Sequence, residues 1–280
     1  WWENEMMQVV FKCRSLSLFE IVDSSYLSVL DHIHVLNPAN SEPYQFGYRY
    51  VANQGTKEGD VTQAAVVFAP PGKRIKILMS SGLFGIKYLL SNAPEDLLLD
   101  PVDPKEVDNR VLKRSLGVGY VADGGMISLP SYKTAQDMWI VDDVRMKQLA
   151  RYGVSNQRLS RLHSRARESL LTAKQHLENR LYDRFIAAAR EAWGLEARGY
   201  PEVKETANDT VRGIIFYFVL LLPFSFFCER LLFGFPEIQK KLIAFTSIFV
   251  LMFLALRWVH PAFKLSNSPY IIFLAFVIMS

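Results

Sequence analysis

His32-Ile33-His34 sets two imidazoles on one face of a strand, a spacing some metal sites use. No third ligand stands at an offset that completes a set, so the pair reads as a partly exposed strand face. Glu95, Asp96, Asp100, Asp103, Glu106 and Asp108 form an acidic run without the spacing and central glycine of a calcium loop, and it reads as a solvated loop. Gly117-Val118-Gly119 leads into Tyr120-Val121-Ala122, which makes neither a dinucleotide fingerprint nor a phosphate loop. No serine sits in a Gly-x-Ser-x-Gly elbow, and the five histidines pair with no recognisable nucleophile. Arg158, Arg161 and Arg165 share a helical face, but Glu168 and Glu178 on the same helix make it a solvated surface rather than a basic patch. Glu229-Arg230 is open to two readings: an ionisable pair with a role beside a membrane span, or the interfacial end of that span. No catalytic, cofactor-binding or metal-ligating residue is assigned, no cofactor is expected, and the chain is not expected to be an enzyme.

The elements that carry these residues change character along the chain. Short apolar or alternating runs at Val9–Phe11, Leu18–Val22, Ile33–Leu36, Phe46–Val51, Ala64–Phe68 and Ile75–Met79 predict strands. Asn37-Pro38, Asn53-Gln54-Gly55 and Pro70-Pro71-Gly72 punctuate them, and together they predict a small antiparallel β-sandwich over 1–82. Ile75, Ile77 and Met79 alternate with Arg74, Lys76 and Ser80, so one face of the last strand should be buried. Prolines and glycines interrupt every period over 83–134, which predicts an irregular connector with a short strand at Met126–Leu129 and with Leu97-Leu98-Leu99 docked on the sandwich.

Helical spacing dominates 135–200. Thr134 is expected to cap a helix ending at Gly153, and Ser155 or Asn156 a second one striped by Leu159, Leu162, Ala166, Leu170, Ala173 and Leu177. After a break at Glu178-Asn179-Arg180, a third should turn Tyr182, Phe185, Ala189, Ala192 and Trp193 inward, making a helical hairpin stalk. Pro201 is expected to open a further helix, where its missing N–H costs nothing.

Charge then thins sharply. The stretch 213–235 is about 23 residues, enough to cross a hydrocarbon layer of roughly 30 Å. A second apolar run fills 242–259, if Arg257 snorkels to the interface beside Trp258, and a third begins at 270–280. These predict transmembrane helices over 201–280 and, for the whole, an α+β membrane protein. Arg230, Lys240 and Lys241 at the first connection outweigh Arg257 and Lys264 at the second, placing the first connection in the cytoplasm and the N-terminal domain outside it. Trp1 in place of Met and the apolar run still open at Ser280 predict a piece of a longer protein. Two cysteines, Cys13 and Cys228, make no disulfide framework or zinc spacing. A net charge of +4 with interleaved signs gives no reason to expect nucleic acid.

Two resemblances add expectations. Ala64 through Pro70-Pro71-Gly72-Lys73 into Ile75–Met79 resembles the closing strands of carboxypeptidase-regulatory-like, transthyretin-type sandwiches. Asp137-Met138-Trp139, Met146-Lys147 to Tyr152-Gly153, Ala192-Trp193 to Tyr200-Pro201, Thr206–Asp209 and Glu229–Pro236 are similar to a segment of large bacterial membrane proteins that precedes an FtsX-like permease module. That resemblance implies a multi-pass component of the bacterial cytoplasmic membrane, an ABC-transporter-type permease powered by a separate ATPase subunit. Its implied role is to couple an extracytoplasmic domain to membrane helices. The alternative expectation is a membrane-anchored binding or sensor module of the cell envelope, with an envelope protein or glycan as ligand. A membrane peptidase would need catalytic residues outside this sequence.

Overall fold

The computed structural model describes residues 11–23, 29–30, 32–52, 61–80, 86–151 and 155–259. They form two compact units, one within Trp1–Arg145 and Asn156–Glu202, the other within Met146–Ser155 and Val203–Ser280.

The first unit is α+β. Strands β1 (Arg14–Phe19), β3 (Gly47–Ala52) and β4 (Val61–Ala69) make one antiparallel sheet in the order β1-β4-β3. Strands β2 (His32–Leu36), β5 (Arg74–Ser80) and β6 (Ile86–Leu90) make another in the order β2-β5-β6, and the two-residue β7 (Tyr120–Val121) also pairs with β5. Period-two alternation sets the register: Leu16 faces Val67 and Leu18 faces Ala65 in one sheet, while Ile33 faces Met79 and Val35 faces Ile77 in the other. All eight are buried in a single apolar cluster.

The turn at Pro70-Pro71-Gly72 carries the chain from one sheet to the other, because β4 and β5 share no pairing. Lys73 N–H donates to Pro70 O at 3.1 Å, and Gly72 takes φ +73°, the left-handed geometry such a turn requires. The first expected strand falls mostly outside the described residues, and its last residue, Phe11, is not in a strand. Lys76, expected on the polar face of β5, is 2% exposed. Its ammonium donates to Pro38 O at 3.2 Å and Asn40 Oδ1 at 2.7 Å, partners supplied by a distant turn.

The stretch 83–134 is more ordered than its breakers imply. It contributes β6 and β7 to the second sheet, helices α1 (Asp96–Leu99) and α2 (Asn109–Ser115), and a 3₁₀ turn at Pro104–Glu106. Leu97 and Leu98 are buried, while Leu99 points out. In place of a strand at Met126–Leu129, Met126 makes a lone parallel bridge to Ser17.

Helix α3 (Pro130–Ala150) starts one turn before Thr134, with proline in its first turn, and Thr134 is buried inside it. Asn156 caps α4 (Gln157–Glu178), its side chain accepting from Arg158 N–H at 2.9 Å. Helix α5 (Tyr182–Leu232) turns Phe185, Ala189, Ala192 and Trp193 inward, but Tyr182 outward at 59% exposure. Pro201 opens no new helix, since α5 passes through it unbroken. The Ala197 carbonyl that a proline four residues later leaves unpaired accepts from Lys87 instead.

In the second unit, α5 continues to Leu232, three residues short of the expected span end. Gly234, at φ +54°, donates to Glu229 O at 2.9 Å and ends the helix in a left-handed cap. Helix α6 (Ile238–Val259) packs Phe249 and Phe253 against Leu221. Among the described residues one helical stretch, Ile238–Leu256, is long and apolar enough to cross a membrane. The expected third span, 270–280, lies outside the described residues.

Candidate functional site

The residues whose types and spacing suggest chemistry are spread out. His32 and His34 share the exposed face of β2. Asp103 accepts from Lys105 N–H and Asp108 from Arg110 and Val111 N–H, as helix caps, while Glu95 pairs with Lys174 and Asp96 with Arg114 at 2.7 Å each. Arg165 bonds Glu191 and Arg158 approaches Glu202, both across exposed helix surface. Gly117 and Gly119 serve close packing: both have positive φ, and a side chain at either would collide with the backbone of Ser91 or Ile75.

The concentrated chemistry of the first unit lies elsewhere, where α3, α4 and α5 bring charged groups together away from water. His163 of α4 has its ring nitrogens facing carboxylates on both neighbouring helices: Nδ1 is 3.1 Å from Glu196 Oε1 and Nε2 is 3.5 Å from Asp143 Oδ1. The ring stacks on Trp139 with centroids 4.6 Å apart and planes 3° from parallel, and Trp139 Nε1 donates to the His163 carbonyl oxygen at 3.0 Å. Asp142, 1% exposed, has Arg145 at 3.6 Å, and that guanidinium lies 5.2 Å from the centre of the Tyr200 ring.

Burial by itself disfavours an imidazolium, yet Glu196 and Asp143 more than offset it and raise the His163 pKa to about 9. Asp142 is also raised, for a different reason: burial first, then the nearby Glu196 charge, hold its carboxyl well above the usual range despite Arg145 and His163. The cluster thus keeps a proton on His163 at neutral pH. It can tie three helices together through that cation, with a carboxylate facing each ring nitrogen.

A second buried carboxylate closes a loop. Asp137 of α3 accepts from three consecutive backbone N–H groups, Ser91 at 2.7 Å, Asn92 at 2.9 Å and Ala93 at 2.9 Å. Asn92 lies at φ +54°, the left-handed residue that turns successive N–H groups toward one point. The protein fills this anion cradle with its own side chain. Burial raises the Asp137 pKa to about 6, against those three donors.

In the second unit, Ser225 and Glu229 stand one turn apart on α5 and are both buried. Neither the Ser225 hydroxyl nor either Glu229 carboxylate oxygen has a hydrogen-bond partner among the described residues. Arg230, by contrast, is exposed.

Sequence reasoning passed over the cluster because acids and bases on helices read as surface. A signal was present: His163 lies four residues after Leu159 and three before Ala166, inside the apolar stripe of α4. Glu196 falls likewise between Trp193 and Tyr200. Comparison with protein-family models, curated proteins and solved structures finds no match for the chain.

Proposed function

We propose that the chain is a non-catalytic membrane component in which an α+β unit is carried on membrane-inserted helices. The observation that carries this reading is the outward apolar surface of the second unit: Phe216, Phe227, Leu231, Ile238, Leu242, Ile243 and Leu251 are each at least 63% exposed. An apolar surface of that extent matches hydrocarbon as its solvent. The buried ion cluster supports a structural use of charge in the α+β unit, since its histidine lies between two carboxylates on neighbouring helices. Two small antiparallel sheets sharing one core are compatible with a regulatory-type β-sandwich.

The same reading includes coupling of the FtsX-like permease type in a bacterial cytoplasmic membrane, with a separate ATPase and the α+β unit outside the cytoplasm. Its support is that one helix, α5, supplies core residues to both units, Phe185 to Tyr200 in the first and Leu221 in the second. The anchoring is tested by alkaline carbonate extraction: the full chain should stay with the membrane pellet, and release into the supernatant would overturn it. The coupling is tested by inserting two glycines after Lys204. Loss of any partner-dependent change at spin labels in the first unit is expected, and an unaltered response would reject coupling through α5.

A binding or sensor module is the second reading, favoured by Tyr44, fully exposed, and Tyr48, 44% exposed at the start of the edge strand β3. Aromatic faces of this kind stack on sugar rings. Retention on a glycan column that Tyr44→Ala and Tyr48→Ala together abolish would select this reading over the first.

A further inference from the structure

Within the second unit a cavity of about 650 Å³ opens between α5 and α6, walled by Phe224, Cys228 and Leu232 on one side and Ala244, Ile248 and Leu251 on the other. Its lining on α6 runs from Lys240 to Met252, about 18 Å at 1.5 Å per residue. Lys240 is the one charged residue in that lining, and it lies in the first turn of α6. Phe233 and Phe235, stacked 5.6 Å apart, belong to the same end. The shape is therefore a long apolar slot with a cation at one end.

We propose that this slot holds one acyl chain of an anionic phospholipid, with Lys240 at the phosphate. The inference rests on the membrane reading above, since only there is such a chain the surrounding solvent. The volume falls within the roughly 300–1,000 Å³ typical of sites for single small molecules. Glu237 pairs with Lys240 at 3.0 Å, but both side chains are more than half exposed. An exposed pair of this kind is worth little and yields readily to a phosphate. Lys241 and the exposed Arg230, near the same connection, add to the attraction for an anionic headgroup.

Cys228 lines the slot and provides its own reporter. In the full chain carrying Cys13→Ser, reconstituted into vesicles and checked for insertion by flotation, Cys228 labelling by a membrane-permeant maleimide is timed. The two vesicle types are phosphatidylcholine alone and phosphatidylcholine with phosphatidylglycerol. Labelling should be about fivefold slower with phosphatidylglycerol, the ratio one lysine contact with an anionic headgroup supports. Lys240→Gln should abolish that difference, as should Ala244→Trp, which fills the slot. A cysteine placed at the exposed Val219, in a Cys228→Ser background, should label equally in both vesicles. Equal Cys228 labelling in inserted protein, or a difference that survives Lys240→Gln, overturns the proposal alone. Failure to float with either vesicle overturns the membrane reading and the proposal with it.

Discussion

The Lys87 ammonium lies 3.1 Å from the Ala197 carbonyl oxygen, and Ala197 stands four residues before Pro201. In an unbroken helix that carbonyl accepts from the residue four ahead, and proline has no N–H to give. A side chain from the second sheet supplies the missing donor. Lys87 is itself held, because Trp193 Nε1 donates to its carbonyl at 2.8 Å and Tyr88 packs edge-on against Trp193. Lys87→Ala should lower stability by about 1.5–3 kcal/mol, the range for a hydrogen bond to a charged group. With Pro201→Ala in place, an ordinary helical N–H becomes available and the cost of Lys87→Ala should shrink. A double-mutant cycle by denaturant unfolding reads the coupling, and additive costs would refute the compensation.

His163 joins three helices by its positive charge, so its removal leaves Glu196 and Asp143 buried without their cation. His163→Gln should cost about 3–5 kcal/mol. Its folded-state pKa, about 9, exceeds the ordinary 6.5, so the protonated form favours folding. That contribution is complete below pH 6.5 and is lost as pH rises through 9. Urea midpoints measured across this window should fall in the parent protein and stay flatter in the variant.

Asp137 gives the opposite chemistry with a related sign. Burial raises its pKa from 3.8 to about 6, so ionising it costs stability as pH rises between those values. Asp137→Asn should remove that slope. Asp137→Ala should orphan three backbone donors and cost several kcal/mol, at about 1–3 kcal/mol for each unsatisfied group. Hydrogen exchange at Ser91, Asn92 and Ala93 is the direct measure, and unchanged protection there would contradict the assignment.

Gly117 and Gly124 both have positive φ, at +69° and +94°, but their surroundings differ. A side chain at Gly117 runs into the Ser91 carbonyl, whereas at Gly124 nothing lies within 4 Å. Gly124→Ala should cost only the backbone strain, about 1–3 kcal/mol. Gly117→Ala should cost distinctly more, and comparing the two thermal midpoints decides it.

The helices were legible where burial follows from local spacing. The stripe through Leu159, Ala166, Leu170 and Ala173 and the Asn156 cap depend only on residues within a turn or two of each other. What stayed hidden depends on distant partners. Lys76 looks like a surface lysine until the Pro38 carbonyl and Asn40 reach it, and Pro201 looks like a helix start until Lys87 satisfies Ala197. The charge cluster was hidden for the same reason, since Asp142, Asp143 and Glu196 are compatible with solvent on their own helices. The sheet crossover at Pro70–Gly72 stayed hidden because a tight turn reports a change of direction and carries no information about which strand pairs next.

That crossover sets an order of assembly. Leu16 waits for Val67 and Ile33 for Met79, so the first sheet closes only when β4 is present and the second only when β5 is, and both closures enclose long loops. Helices α4 and α5, joined through Asn179, Arg180 and Leu181, need no such wait. Slow loop closure against fast local contact implies that this α+β unit gains its helices early, and that its sheets set the pace of folding.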